Sequence, residues 1–333
     1  MRPRQAAHQF GSQQAFPIFL LLILSICSVL AGKSSSPPPP SVATAQTKIT
    51  VTSALVVLPV NVIGAEGKFV DGLKAENFRI YEDNRQQKVT LFKDEDTPVT
   101  VGLIVDHSRS MGPKLARVIT AIRAFAHSSN PSDEMFVVDF NENVSVELLG
   151  GKAFTNDPSE LEKAIYAVSA RGQTALYDAV TEGLTHIELG QQDKKALIVV
   201  SDGGDNASRI TFSEVLALAR RSRVAIYCIG LVDESGEEEN PRILEKLSKA
   251  TGGITFLRRR TDEVAEISKQ IARDLREQYT LGYVPPQKNG RDSFRKIRVE
   301  VSAAGGRKVH VRTRPGYYLD GAKTQAALRA GAQ

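Results

Sequence analysis

Apolar and polar positions along the chain fall into three stretches of different period. From Lys48 to about Asp96 the texture is strand-like. Lys48-Ile49-Thr50-Val51-Thr52 alternates, and ALVVLPVNVI is a β-rich apolar run closed by Gly64 and Gly67. Phe78-Arg79-Ile80 and Lys88-Val89-Thr90-Leu91 follow, separated by the turn formers Asp83-Asn84. The same texture returns from Tyr279 to Tyr318. There Ile297, Val299 and Val301 alternate with Lys296, Arg298 and Glu300 before Gly305-Gly306 turns the chain towards Val309 and Val311. Period-two alternation with one polar face predicts antiparallel sheet. Neither flank has enough strands for a core of its own, so the two are expected to pair into one small β-domain that the middle of the chain interrupts.

Between about Val99 and Glu277 the period changes. VTVGLIVD, EMFVVDF, KALIVVSD and VAIYCIG are short, apolar and β-branched, as strands buried on both faces of a parallel sheet must be. Helix-period stretches separate them, at Leu115–Phe125, Leu176–Ile187, Phe212–Arg221 and Asp262–Arg276, with a shorter one around Leu161 that Asp157 or Ser159 can cap. VSVELL follows FVVDF too closely for a helical crossover and is expected as an antiparallel partner at one sheet edge. The pattern predicts an α/β fold: a doubly wound, mostly parallel sheet with helices on both faces, inserted in the antiparallel β-domain. The expected boundaries are 48–97 and 278–319 for the two halves of the β-domain, 98–277 for the α/β domain and 320–333 for a tail.

The N-terminus adds an address. Arg2 and Arg4 precede the uncharged run Ala15–Ala31, and small residues lie near Val29–Gly32. This reads as a secretory signal over 1–31 with cleavage after Ala31, an uncleaved anchor being the alternative for a run of this length. SSSPPPP within 32–47 predicts an extended spacer. The chain is therefore expected to be exported to a periplasmic, cell-surface or secreted location. Gly32-Lys33-Ser34 resembles the end of a phosphate-binding loop, but Cys27 stands where that loop needs glycine, and no helix pattern follows.

Composition narrows the partners. The 333 residues carry 43 Lys and Arg against 38 Asp and Glu, a net +5 that is no footprint for nucleic acid. Two cysteines, Cys27 and Cys228, exclude a disulfide scaffold or a cysteine-rich zinc module, and Cys228 within VAIYCIG is expected to be a buried small hydrophobe.

The candidate chemistry gathers at strand ends, where ligands bind in such folds. The first central strand runs out into Asp106-His107-Ser108-Arg109-Ser110. If the chain stays extended there, Asp106, Ser108 and Ser110 share one side. KALIVVSD ends in a second carboxylate, Asp202, and Gly172-Gln173-Thr174 opens a helix with a third hydroxyl. These are oxygen donors only, which suits Mg²⁺, Mn²⁺ or Ca²⁺ rather than zinc. Asp178 and Asp205 are expected as helix-start or turn residues. His107 is expected as a solvent-facing loop residue, and the runs Arg258–Arg260 and Arg220–Arg223 as solvated faces. Tyr317-Tyr318 is expected to fill the β-domain core or the domain seam.

DHSRS, GQT and SDG, in this order on a βα pattern, resemble the metal-ion-dependent adhesion site of the von Willebrand factor type A domain, over about 98–275. The flanks NFRIYEDNRQQKVTLF and YTLGYVPP…RKIRVEV…RPGYYL are similar to bacterial VWFA-related proteins described from acidobacteria. The resemblance implies a metal held by the hydroxyls of Ser108, Ser110 and Thr174, with Asp106 and Asp202 acting directly or through water. It also implies a partner protein that completes the shell with an Asp or Glu carboxylate. Arg109 stands where relatives commonly have glycine. The implied function is non-enzymatic, adhesion-type protein binding; the alternatives are a metal-dependent hydrolase using His107 or Asp205, or an envelope component with a silent site. No nucleophile elbow or second metal cluster supports the hydrolase.

Overall fold

A computed structural model describes residues 55–94, 96–146, 148–166, 169–232, 239–258, 264–286, 294–302 and 308–318. The leader at 1–31, the spacer at 32–47, the strand expected at Lys48–Thr52, the Gly305-Gly306 turn and the tail at 320–333 lie outside these residues.

The two flanks do pair. Strand β1 (Val56–Gly64) from the first flank lies between two strands of the second: β11 (Tyr279–Tyr283), with Leu58 opposite Leu281, and β13 (Val309–Arg312). The short β4 (Leu91–Lys93) completes this sheet on the other side of β11. A second sheet sets β2 (Phe78–Glu82) against β12 (Phe294–Val301), Ile80 opposite Val299, with β3 (Arg85–Gln87) and β14 (Gly316–Tyr318) at its edges. Every pairing is antiparallel. Asp83 and Asn84 both take positive φ at the β2–β3 turn, as a tight hairpin requires. Leu58, Val60, Phe78, Ile80, Tyr279 and Leu281 share one core across the two sheets, and the Phe78 and Tyr279 rings lie 5.1 Å apart.

The middle of the chain leaves after β4 and returns through β11. Its six strands are β5 (Val99–Asp106), β6 (Glu134–Phe140), β7 (Val144–Val146), β8 (Lys194–Ser201), β9 (Ala225–Leu231) and β10 (Thr255–Arg258). They lie in the order β10-β9-β8-β5-β6-β7, parallel except for β7 at the edge, as expected of VSVELL. Alternate strand residues feed opposite cores. Val101, Leu103 and Val105 meet α1 (Leu115–His127), α2 (Pro158–Tyr166) and α6 (Val264–Arg276). On the other face, Ile104 and Leu197 meet α3 (Leu176–His186), α4 (Phe212–Arg221) and α5 (Pro241–Thr251). Two elements, α5 and β10, exceed the expectation. The buried series Ile243, Leu244, Leu247 and Ala250 after Pro241 carries the helical period that identifies α5.

Polar contacts join sandwich and α/β domain. Asn61 of β1 donates to the Asp274 carbonyl at 2.8 Å and accepts from Gln278 at 2.9 Å. Arg314 donates to the carbonyls of Arg220 and Ser222, each at 3.0 Å, which satisfies the exposed end of α4. Arg221 lies 5.0 Å over the Tyr318 ring, so part of the Arg220–Arg223 run belongs to this seam rather than to a solvated face.

The sandwich also encloses charge. Glu82 and Arg295, each 1% exposed, pair at 2.7 Å, and the Glu82 carboxylate also accepts from Tyr283 (2.6 Å) and Tyr317 (2.8 Å). Burial, with the Glu82 hydrogen bond adding to it, pushes the Tyr317 phenol up to about 12 and the Tyr283 phenol further. Removing one member of such a pair strands the other in a dry core. Glu82→Ala is expected to cost about 3–5 kcal/mol, whereas Glu82→Leu with Arg295→Met costs much less. Denaturant unfolding followed by far-UV circular dichroism checks this, since the chain has no tryptophan. Equal losses in the single and double variants would overturn it.

Candidate functional site

Strands β5 and β8 lie side by side with Val105 opposite Val200, so they end together. Asp106, the last residue of β5, is buried. Its Oδ2 accepts from Ser201 Oγ at 2.6 Å and its Oδ1 from the Ser108 amide at 2.9 Å. Burial pushes this carboxyl up to about 6, and the charge of Asp202 adds to the shift. The Ser108 and Ser201 hydrogen bonds pull the other way.

Beyond Ser108 the chain does not stay extended: Arg109–Lys114 forms a 3₁₀ turn. The hydroxyls still converge, but by another route. The turn folds Ser110 back so that Ser108 Oγ and Ser110 Oγ lie 3.2 Å apart, and Ser110 donates to Asp202 Oδ2 at 2.7 Å. Asp202 Oδ1 accepts from the Gly204 amide at 3.0 Å.

Thr174 arrives on a third loop held from two sides. Gly172 takes φ +77°, and a Cβ there would collide with the Glu142 carboxylate, which accepts from the Gln173 amide at 3.0 Å. The Thr174 amide donates to Asn206 Oδ1 at 2.8 Å, and its carbonyl accepts from the amides of Asn206 and Ala207. The Ala175 amide donates to the Asn141 carbonyl at 2.8 Å. Ser110, Thr174, Asp202, Gly204, Asp205 and Asn206 thereby line one cavity of about 200 Å³. Asp106 and Ser108 are buried beside it, linked through the Ser110 and Asp202 contacts.

Asp205 accepts from the Tyr177 amide and Ser208 Oγ, and Asp178 from the amides of Arg209 and Ile210. Both therefore tie the start of α3 to the loop after β8, in keeping with their reading as helix-start and turn residues. The expectation for His107 is overturned. It is 0% exposed, with Nδ1 3.0 Å from Asp139 Oδ1. Parallel pairing sets Asp106 opposite Phe140, which brings Asp139 of β6 next to His107. Arg109 is exposed and is not among the residues lining the cavity.

Lys114 carries no sequence signal beyond its place after the DHSRS segment. Its buried ammonium donates to the Leu231 carbonyl at 2.8 Å and meets Glu239 at 3.3 Å. Cys228 is the inert hydrophobe expected: burial pushes its thiol up to about 12.

Three hydroxyls and two carboxylates with no cysteine or histidine fit a hard cation. Among the described residues there is no group of three or more His, Cys, Asp or Glu side chains placed to hold a metal, so hydroxyls must contribute to any such site. Nor is any helix among them long and apolar enough to cross a membrane.

A doubly wound domain whose strand-end loops carry Asp-x-Ser-x-Ser, Thr and Asp defines a class, and comparison agrees with it. Residues 101–270, half of the chain, match the von Willebrand factor type A domain, and the chain belongs to this family. Domains of this type are generally non-catalytic modules for interaction with other proteins. No curated protein matches the sequence. Similar solved structures include a von Willebrand factor type A protein from Catenulispora acidiphila (14% identity, 80% of this chain and 74% of that one, TM-score 0.48). Others are the pilus adhesin SpaC from Lactobacillus rhamnosus GG (10%, 73% and 47%, 0.45) and an aerotolerance-related membrane protein from Bacteroides fragilis (16%, 53% and 98%, 0.43). At these scores the likenesses carry no functional argument.

The Asp106 carboxyl has a consequence for stability. Its value of about 6 lies above the ordinary 3.8, so the native state binds this proton more tightly than the unfolded chain. The group's contribution to stability is therefore highest below pH 4, falls between about 4 and 6, and is a full penalty above. In chelator, Asp106→Asn is expected to raise stability by about 1–3 kcal/mol at pH 7 and by almost nothing at pH 4. Denaturant titrations at the two pH values measure this; a gain independent of pH would contradict it.

Proposed function

We propose that this protein is an exported binding module that holds a divalent cation, Mg²⁺ or a close analogue, and uses it to grip an acidic residue of a partner protein. The observation that carries the reading is the Ser108–Ser110–Asp202 chain of contacts at 3.2 and 2.7 Å, closed by Thr174 across the same small cavity. Ser108, Ser110 and Thr174 would hold the ion through neutral hydroxyls, with Asp106 and Asp202 supplying charge. When bound, the ion offers an open coordination position to an incoming Asp or Glu carboxylate.

The chain's own work is to keep these donors in place. Asp106 fixes the Ser108 amide, the Gly204 amide orients Asp202, and Asn206 holds the Thr174 backbone. Export rests on the basic and apolar pattern of 1–31. The hydrolytic alternative is the weaker reading. His107 is buried against Asp139, and Asp205, although it lines the cavity, has its Oδ1 engaged by Tyr177 and Ser208 in tying down the start of α3.

Calorimetric titration of the purified protein with Mg²⁺ and Mn²⁺ tests the reading. Wild type is expected to take up one ion. Asp106→Ala and Thr174→Ala, once shown to be folded by circular dichroism, should lose at least tenfold in affinity. No uptake by wild type, or undiminished uptake by folded Asp106→Ala, would refute it.

A further inference from the structure

The two loops that build the site also meet through their backbones. The Arg171 amide donates to the His107 carbonyl at 2.9 Å and the Arg109 amide to the Gly172 carbonyl at 3.4 Å. This short ladder fixes Arg109, flanked by the two serines, next to the Gly172 turn that carries Arg171. Both arginines are exposed, and neither forms an ion pair with a described residue. Acids of the loops around the site are engaged. Glu142 accepts from the Gln173 amide, Asp205 from Tyr177 and Ser208, and Asp178 is paired with Arg209 at 3.2 Å.

Charge then discriminates between ligands. A divalent cation set against Asp106 and Asp202 would leave the floor of the site close to neutral, while Arg109 and Arg171, exposed on the two adjoining loops and outside the cavity lining, add two positive charges beside it. A lone carboxylate would satisfy the floor and leave these two charges unanswered. A guanidinium also presents a planar fork that matches a carboxylate bidentately.

We infer that Arg109 and Arg171 form a cationic rim that selects partner segments carrying several neighbouring carboxylates, an acidic polypeptide stretch rather than an isolated Asp or Glu. This rests on the metal-bridge reading above: one carboxylate goes to the ion and its neighbours go to the two guanidinium groups. The departure from glycine at Arg109 thus narrows ligand choice without occupying the cavity.

The test compares two labelled synthetic peptides by fluorescence anisotropy on the full chain in Mn²⁺. One is a polyglycine with a single central Asp; the other has the same length and a central Glu-Asp-Glu. The acidic peptide is expected to bind about tenfold tighter, two exposed charge pairs being worth a few-fold each. In Arg109→Ala/Arg171→Ala the difference should fall to about twofold, with Mn²⁺ uptake unchanged. Equal binding of the two peptides, no binding of either by Mn²⁺-loaded protein, or a preference that survives the double substitution would overturn the inference. Calorimetric uptake of Mn²⁺ separates the two levels. Its absence in wild type removes the metal reading and this inference together, whereas normal uptake without peptide preference removes this inference alone.

Discussion

The Asp106 carboxylate, closed in at the end of a central strand, is the constraint around which the site is arranged. Burying an ionisable group is unfavourable unless hydrogen bonds replace its water. Here the replacements come from two different places: the Ser108 amide, two residues further along the same chain, and the Ser201 hydroxyl at the end of the neighbouring strand. Satisfying one carboxylate therefore locks the course of the loop that carries Ser108 and Ser110, and it locks that loop to the strand that delivers Asp202. The compensation is incomplete, as the raised pKa shows. The arrangement of these loops is held at some expense to the fold.

Around this centre, polar contacts join the ends of adjacent strands. Ser110 and Asp202 connect the exits of β5 and β8, while Lys114, reaching the Leu231 carbonyl and Glu239, connects the 3₁₀ turn to the exit of β9. His107 and Asp139 do the same for β5 and β6. Four consecutive strands of the sheet are thus coupled at the edge where the cavity opens. The hydrophobic layers below supply most of the stability, but it is these few contacts that give the loops a defined shape.

Much of this was legible in the sequence, and the limits have physical causes. The sheet was readable because strands buried on both faces are continuous apolar runs, and the paired flanks because neither could bury a core alone. The positions of the five oxygen-bearing side chains were readable because they sit at strand and helix ends. The geometry that unites Ser108 and Ser110 was not, since spacing by two fits an extended chain and a 3₁₀ turn equally well. His107 was misplaced because solitary loop histidines look solvent-facing until a neighbouring strand supplies Asp139. The buried Glu82–Arg295 pair had a signal that hydropathy hides. Glu82 is in phase with inward-facing Phe78 and Ile80, and Arg295 with Ile297 and Val299, so alternation alone directs both into the core.

The interleaving of the sandwich bears on how the chain acquires its structure during synthesis. The first flank emerges early, yet β1 finds both its neighbours, and β2 all but the short β3, only in β11, β12 and β13, beyond the whole α/β domain. The intervening domain can close on its own consecutive strands and helices, whereas the early flank must wait with apolar surface and open strand edges exposed. Vulnerability to misassembly is therefore concentrated in the first flank before the last strands arrive.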